Sequence, residues 1–157
     1  MEPVELDLPT LTSLVGNGVV RELLNRMERD GLTGVRPSHG YLIQRLVEDE
    51  PTVSGLASSL GITQQGASKQ VRELEGLGYV ERRQLPGDGR VRGVRLTARG
   101  REVLEAGRRA RAELEAELVA RVGEKDAQTA RRVLAALLEI IGLGDDVRRR
   151  TVPLPKD

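Results

Sequence analysis

Side chains capable of directional chemistry are unevenly spread along this sequence. Thr63, Gln64, Gln65, Ser68 and Lys69 fall in one short stretch, Arg72, Arg82 and Arg83 follow, and Asp88, Arg90 and Arg92 stand in and beside the turn-rich run Leu85-Pro86-Gly87-Asp88-Gly89. Amides and hydroxyls offer paired donors and acceptors, and guanidinium groups fit anionic oxygens two at a time. That is equipment for recognition. Catalysis draws on other residues, and the chain has one histidine, His39, and no cysteine. Few metal or nucleophile constellations can be assembled from that set, and Gly87-Asp88-Gly89-Arg90 is neither a phosphate loop nor a dinucleotide fingerprint. The expectation is no catalytic residue, no metal and no cofactor.

Charge points the same way. The formal net charge is only +1, but residues 1–60 sum to −4, residues 61–100 to +4 and residues 101–157 to +1. Positive charge is concentrated where the hydrogen-bonding side chains are, as expected of a face that meets a polyanion. The 22 Arg against three Lys also mean that any single surface Arg is as well explained by composition as by a binding role. The acidic start (Glu2, Glu5, Asp7) is unlike a signal peptide, and the longest apolar run, Val133 to Leu138, is far short of a membrane span. A cytoplasmic protein with no membrane contact is expected.

At 157 residues the chain fits one domain, 1–157, and with aromatics at 1 % its core must be built from Leu, Val, Ile and Ala. From Thr10 to Met27 apolar residues recur at three- and four-residue steps, the period of an amphipathic helix. Ser38 is placed to cap a second helix with Tyr41, Leu42, Ile43, Leu46 and Val47 inward. Thr52 or Ser54 caps a short third, which Gly61 ends, and Thr63 caps a fourth that ends at Gly78. Two helices joined by so tight a turn form a helix-turn-helix. Tyr79–Gln84 and Arg90–Leu96 read as the strands of a hairpin, with Val94 and Leu96 on one face and Arg90 and Arg92 on the same parity near the tip. Thr97 then caps a long helix to Val122. A last helix runs from about Lys125 to Ile141, and the tail from residue 145 to 157 is expected to be disordered. The fold class is thus mainly α with a small β-hairpin wing.

The run from Thr52 to Thr63, the run Ser68-Lys69-Gln70-Val71-Arg72-Glu73-Leu74-Glu75-Gly76-Leu77-Gly78-Tyr79-Val80-Glu81-Arg82, the wing motif Asp88-Gly89-Arg90 and the exit Val94-Arg95-Leu96-Thr97-Ala98-Arg99-Gly100 closely resemble the MarR (multiple-antibiotic-resistance regulator) family. The best match covers about residues 52–100. One departure is Gly89, where many relatives carry a second Arg. The resemblance implies a bacterial, sequence-specific transcription regulator, more often a repressor than an activator. Its partners would be double-stranded DNA and a second copy of the chain: a winged helix-turn-helix head at 36–97, with helices at 8–30 and 98–143 interleaving into a homodimer on a pseudo-palindromic operator.

Under that reading Gln64, Gln65, Ser68 and Lys69 meet base edges in the major groove, and Thr63, Arg72, Arg82 and Arg83 meet phosphates. Arg90, oriented by Asp88 and accompanied by Arg92, enters the minor groove. Many relatives also bind a small, often phenolic, effector between head and dimer helices, for which Arg21, His39 and Tyr41 are the candidates here. A lone His beside a helix start is more often structural or a phosphate contact. Two other readings stay open, a winged-helix module for protein contacts and a weakly specific DNA-packaging protein, since fold alone does not dictate function.

Overall fold

The computed structural model describes residues 2–84 and 92–154. After a 3-10 turn at Pro3–Glu5 come α1 (Leu8–Arg29), α2 (Pro37–Arg45), α3 (Val53–Leu60) and α4 (Gln64–Gly76). The antiparallel strands β1 (Val80–Gln84) and β2 (Arg92–Leu96) follow, then α5 (Ala98–Val122), α6 (Glu124–Ile140) and α7 (Gly144–Arg149). No described helix is long and apolar enough to cross a membrane.

The helix starts follow local chemistry. Hydroxyls of Thr52, Thr63 and Thr97 accept hydrogen bonds from the amides of Gly55, Gly66 and Gly100, each at 3.0 Å, satisfying donors that a first turn otherwise leaves unpaired. Ser38 is not a cap. Pro37 occupies the first turn of α2 and Arg36 is the N-cap residue, because Nδ1 of His39 accepts the Arg36 amide at 3.2 Å and does the capping. Gly61 ends α3 at φ +66, ψ 30, a left-handed conformation that favours glycine.

The core lies in the head. Leu42, Leu56, Leu60, Val71, Leu74 and Val94 have no exposed surface, and Met27 from α1 with Val103, Leu104 and Ala106 from α5 close its stalk side. Of the stripe expected on α2, Leu42, Ile43 and Leu46 are buried, Tyr41 is half-buried and Val47 is exposed. The hairpin pairs Arg82 with Val94 and Gln84 with Arg92. The Val94 amide, on the other edge of β2, donates to the Pro51 carbonyl at 2.9 Å, so the wing is stitched to the segment leading into α3. Gly100 seats α5 against the head: a Cβ there would lie 1.9 Å from the Tyr79 carbonyl oxygen. The Thr97 hydroxyl meanwhile donates to the Gly78 carbonyl at 2.6 Å.

Beyond Ala110 the stalk buries little. No later residue of α5 is buried, and on α6 only Ala127 is. Leu14, Val15 and Val20 on α1, Leu118 and Val122 on α5, and Val133, Leu134 and Ile140 on α6 are all exposed. Arg26 ties α1 to α5 by a two-pronged pair with Glu117 at 2.8 and 3.0 Å, and the same guanidinium bonds Glu22 at 2.8 Å.

The end of the chain departs from expectation. In place of a disordered tail from residue 145, α7 forms and residues 150–154 run back to the head, where Leu154 joins the core. The reason is one apolar residue, Leu154, whose side chain joins the core while its amide reaches the Leu60 carbonyl, together with carbonyls that Arg45 can bind. Residues 155–157 lie outside the described residues.

Candidate nucleic-acid interface

The α3–turn–α4 unit presents the start of α4 to solvent. Gln64, Gln65 and Lys69 are exposed, while Ala67, Val71 and Leu74 on the opposite face are buried. The pattern of small buried residues with polar neighbours follows from a 3.6-residue period: the same helix packs on α3 and keeps its first turns free. Ser68 is half-buried and accepts a long 3.4 Å hydrogen bond from Arg72, which is exposed. The Thr63 hydroxyl is occupied as a cap.

On the hairpin, Arg83 and Arg92 are exposed. Arg82 is partly committed, its Nε lying 3.3 Å from Glu75 of α4, a pair that braces strand against helix. Asp88 and Arg90, the expected wing-tip pair, lie outside the described residues.

A polar cluster around the buried His39 braces α4. His39 is 1 % exposed; its Nε2 lies 3.1 Å from Oε2 of Glu73 on α4, and Arg36 also donates to that carboxylate. Since Nδ1 accepts the Arg36 amide, Nε2 carries the proton of a neutral ring. Burial, with the Arg36 charge beside it, pushes the His39 pKa down to about 4. Glu73 alone would favour a protonated ring, but its charge is already matched by Arg36, so desolvation decides.

The three residues assigned to an effector cleft are not brought together. Tyr41 lines a cleft of about 870 Å³ between α2, α5 and the C-terminal segment, beside Arg45, Arg108, Arg111, Arg149 and Arg150, with Glu48 and Asp49 the only acidic lining residues. His39 faces α4 instead, and Arg21 is an exposed residue of α1 outside that lining. Sequence reasoning missed Glu73, Arg36 and Arg45. Glu73 shares α4 with a second carboxylate, Glu75, so its type alone did not single it out; nothing local marked Arg45, whose partners are backbone carbonyls of Ser59 and of the distant Val152.

A helix-turn-helix with a polar, solvent-facing second helix and a basic antiparallel hairpin at its side defines a winged-helix protein. Residues 31–91 match the family model described as MarR family. An uncharacterized HTH-type transcriptional regulator of Bacillus subtilis (strain 168), YdgJ, is 30% identical over 109 residues, covering 69% of this chain and 66% of its own length. Among solved structures, YusO of Bacillus subtilis superposes with TM-score 0.65 at 20% identity over 85% of this chain and 99% of its own. MepR of S. aureus in complex with DNA gives 0.64 at 21% identity over 86% and 98%. Residues 31–91 thus carry the MarR-family winged helix, and the chain, which spans just under two thirds of YdgJ, is similar to transcription regulators rather than to enzymes.

Proposed function

We propose that the chain is a sequence-specific DNA-binding transcription regulator, a repressor, that works as a homodimer on a pseudo-palindromic operator in the cytoplasm. The observation that carries this reading is the exposed start of α4: Gln64, Gln65 and Lys69 stand free of any internal task on the helix that such folds lay in the major groove. Gln pairs bidentately with adenine, and Lys donates to guanine or a phosphate; a good bidentate base contact is worth about 1–3 kcal/mol of discrimination. Ser68 supplements them at the helix's inner edge. Arg72, Arg83 and the Thr63 position serve phosphates, with Arg82 contributing less because Glu75 already holds it. Arg92, and beyond it Asp88 and Arg90, belong to the wing that enters the minor groove.

The partner copy follows from the stalk. Exposed Leu and Val on α1, α5 and α6 cannot be covered by a head whose own core is closed, and a two-fold pair of stalks covers them. Such a pair spaces the reading helices about one DNA turn, ~34 Å, apart. A small anionic effector suits the Tyr41 cleft, where five Arg outnumber two carboxylates.

Footprinting on DNA from upstream of its own gene and on random DNA tests the reading. Protection of a short inverted repeat, with a dimer in ultracentrifugation, is the expected outcome. Uniform coating of both DNAs, or a monomer that binds neither, overturns it.

A further inference from the structure

The segment after α6 is tied at both ends. Near the stalk, Arg148 donates to Asp145 at 2.7 Å and to Glu139 of α6, and the chain then reverses at Arg150, whose φ of +56 is left-handed for a residue with a side chain. At the head, Arg45 of α2 donates to the carbonyls of Arg150, Val152 (3.0 Å) and Ser59 (3.3 Å), and Arg150 reaches Glu48 at 2.6 Å. The Leu154 amide donates to the Leu60 carbonyl at 3.2 Å and its side chain is buried in the core, while a Cβ built on Gly61 would sit 3.5 Å from Pro153. Leu60 and Gly61 are the last residue of α3 and the turn into α4. The end of the stalk therefore reaches, by a short irregular segment, the elbow of the helix-turn-helix.

We propose that residues 150–154 are a latch that fixes the reading head on the stalk. Head and stalk are also joined by continuous chain at residues 30–36 and Thr97 and by the packing of Met27, Val103 and Leu104 into the core, links that hold the two together whether or not the latch is docked. Docking of the tail is reversible. One leucine burial and a few hydrogen bonds oppose the ordering entropy of residues 150–154, so the docked and released states lie close in free energy and a modest perturbation of the stalk or of Arg45 shifts their ratio. Docked, the latch pins the α3–α4 turn and pre-organises α4; released, it leaves that turn to fluctuate. The functional consequence rests on the DNA-binding reading, but the latch itself does not.

Hydrogen exchange of the full-length protein without DNA, comparing wild type with Leu154→Asp and Leu154→Met, reads the latch directly. Leu154→Asp is expected to speed exchange at the Leu60–Ile62 amides at least tenfold, with Val103–Ala110 of α5 unchanged as proof of folding. Leu154→Met, which keeps the apolar contact, should behave as wild type. Affinity for the footprinted site should fall at least fivefold in Leu154→Asp alone. Unchanged exchange at the turn overturns the latch. So does faster exchange with unchanged affinity, because the latch would then have no hold on reading. If no variant, wild type included, binds any DNA, the regulator reading fails while the exchange comparison still decides the latch.

Discussion

The head and the stalk are built from the same amino acids in opposite states of completion. In the head, leucines on α2, α3 and α4 reach zero exposure within one chain, and two of the polar groups beside them are paired inside it: Tyr79 Oη donates to the Thr33 carbonyl at 2.7 Å, and His39 bridges Arg36 and Glu73. In the stalk, leucines and valines of equal hydrophobicity stand in solvent between charged residues such as Arg131, which pairs with Glu115 and Glu124. The difference teaches that an amphipathic period alone does not say what a helix packs on. The head's apolar faces meet each other, whereas many of the stalk's remain exposed within this chain.

The comparison breaks hardest at the head's centre. Leu42→Ala removes a fully buried side chain and should cost about 2–5 kcal/mol in urea or thermal unfolding. The stalk equivalent, Leu134→Asp, should leave head stability close to wild type and instead weaken self-association by ~2 kcal/mol or more, read by sedimentation across a concentration series. If both substitutions lower melting alike and neither touches association, the two regions are not the distinct units described here.

At the seam between them, Gly100→Ala places a methyl group against the Tyr79 carbonyl and is expected to destabilise by about 1–3 kcal/mol through displacement of the α5 start. The head also carries a pH signature in the mildly acidic range, set by a buried histidine. His39 is neutral when folded, with its pKa lowered to about 4 from an ordinary 6.5. Its contribution is complete above pH 6.5 and is lost as pH falls from there toward 4, at up to about 1.4 kcal/mol per pH unit. Denaturant titrations at pH 7, 6 and 5 measure it, and His39→Gln should flatten the dependence while lowering stability at pH 7. The smallest effect belongs to a single surface cation. Arg83→Ala should leave folding unchanged and reduce the slope of log affinity for DNA against log salt by about one.

Much of this architecture could be read from residue types. Threonines three residues ahead of Gly55, Gly66 and Gly100 marked three helix starts, and Gly61 and Gly78 marked two ends, because caps and left-handed turns are decided within one turn of chain. Gln64, Gln65 and Lys69 stood out as polar positions on a helix whose other face is Ala67, Val71 and Leu74, and they are exposed as expected. The failures share a cause. Ser38 has the right chemistry for a cap, but a His ring one position on does the task, and the His39–Glu73 pairing spans 34 residues. The tail looked featureless because its order depends on Arg45 and Leu60, roughly a hundred residues earlier. Long-range polar contacts leave no periodicity to detect.

With no Trp or Phe and two tyrosines, the molecule has an unusually sparse ultraviolet signature. Tyr79 sits sealed at the seam with Arg99 5.6 Å above its ring, and Tyr41 stands half-buried at the rim of the arginine-lined cleft. Native emission near the phenol maximum thus comes from two addresses alone, one at the joint and one at the cleft mouth. Substituting either Tyr with Phe would leave an unlabelled protein whose remaining glow reports a single location.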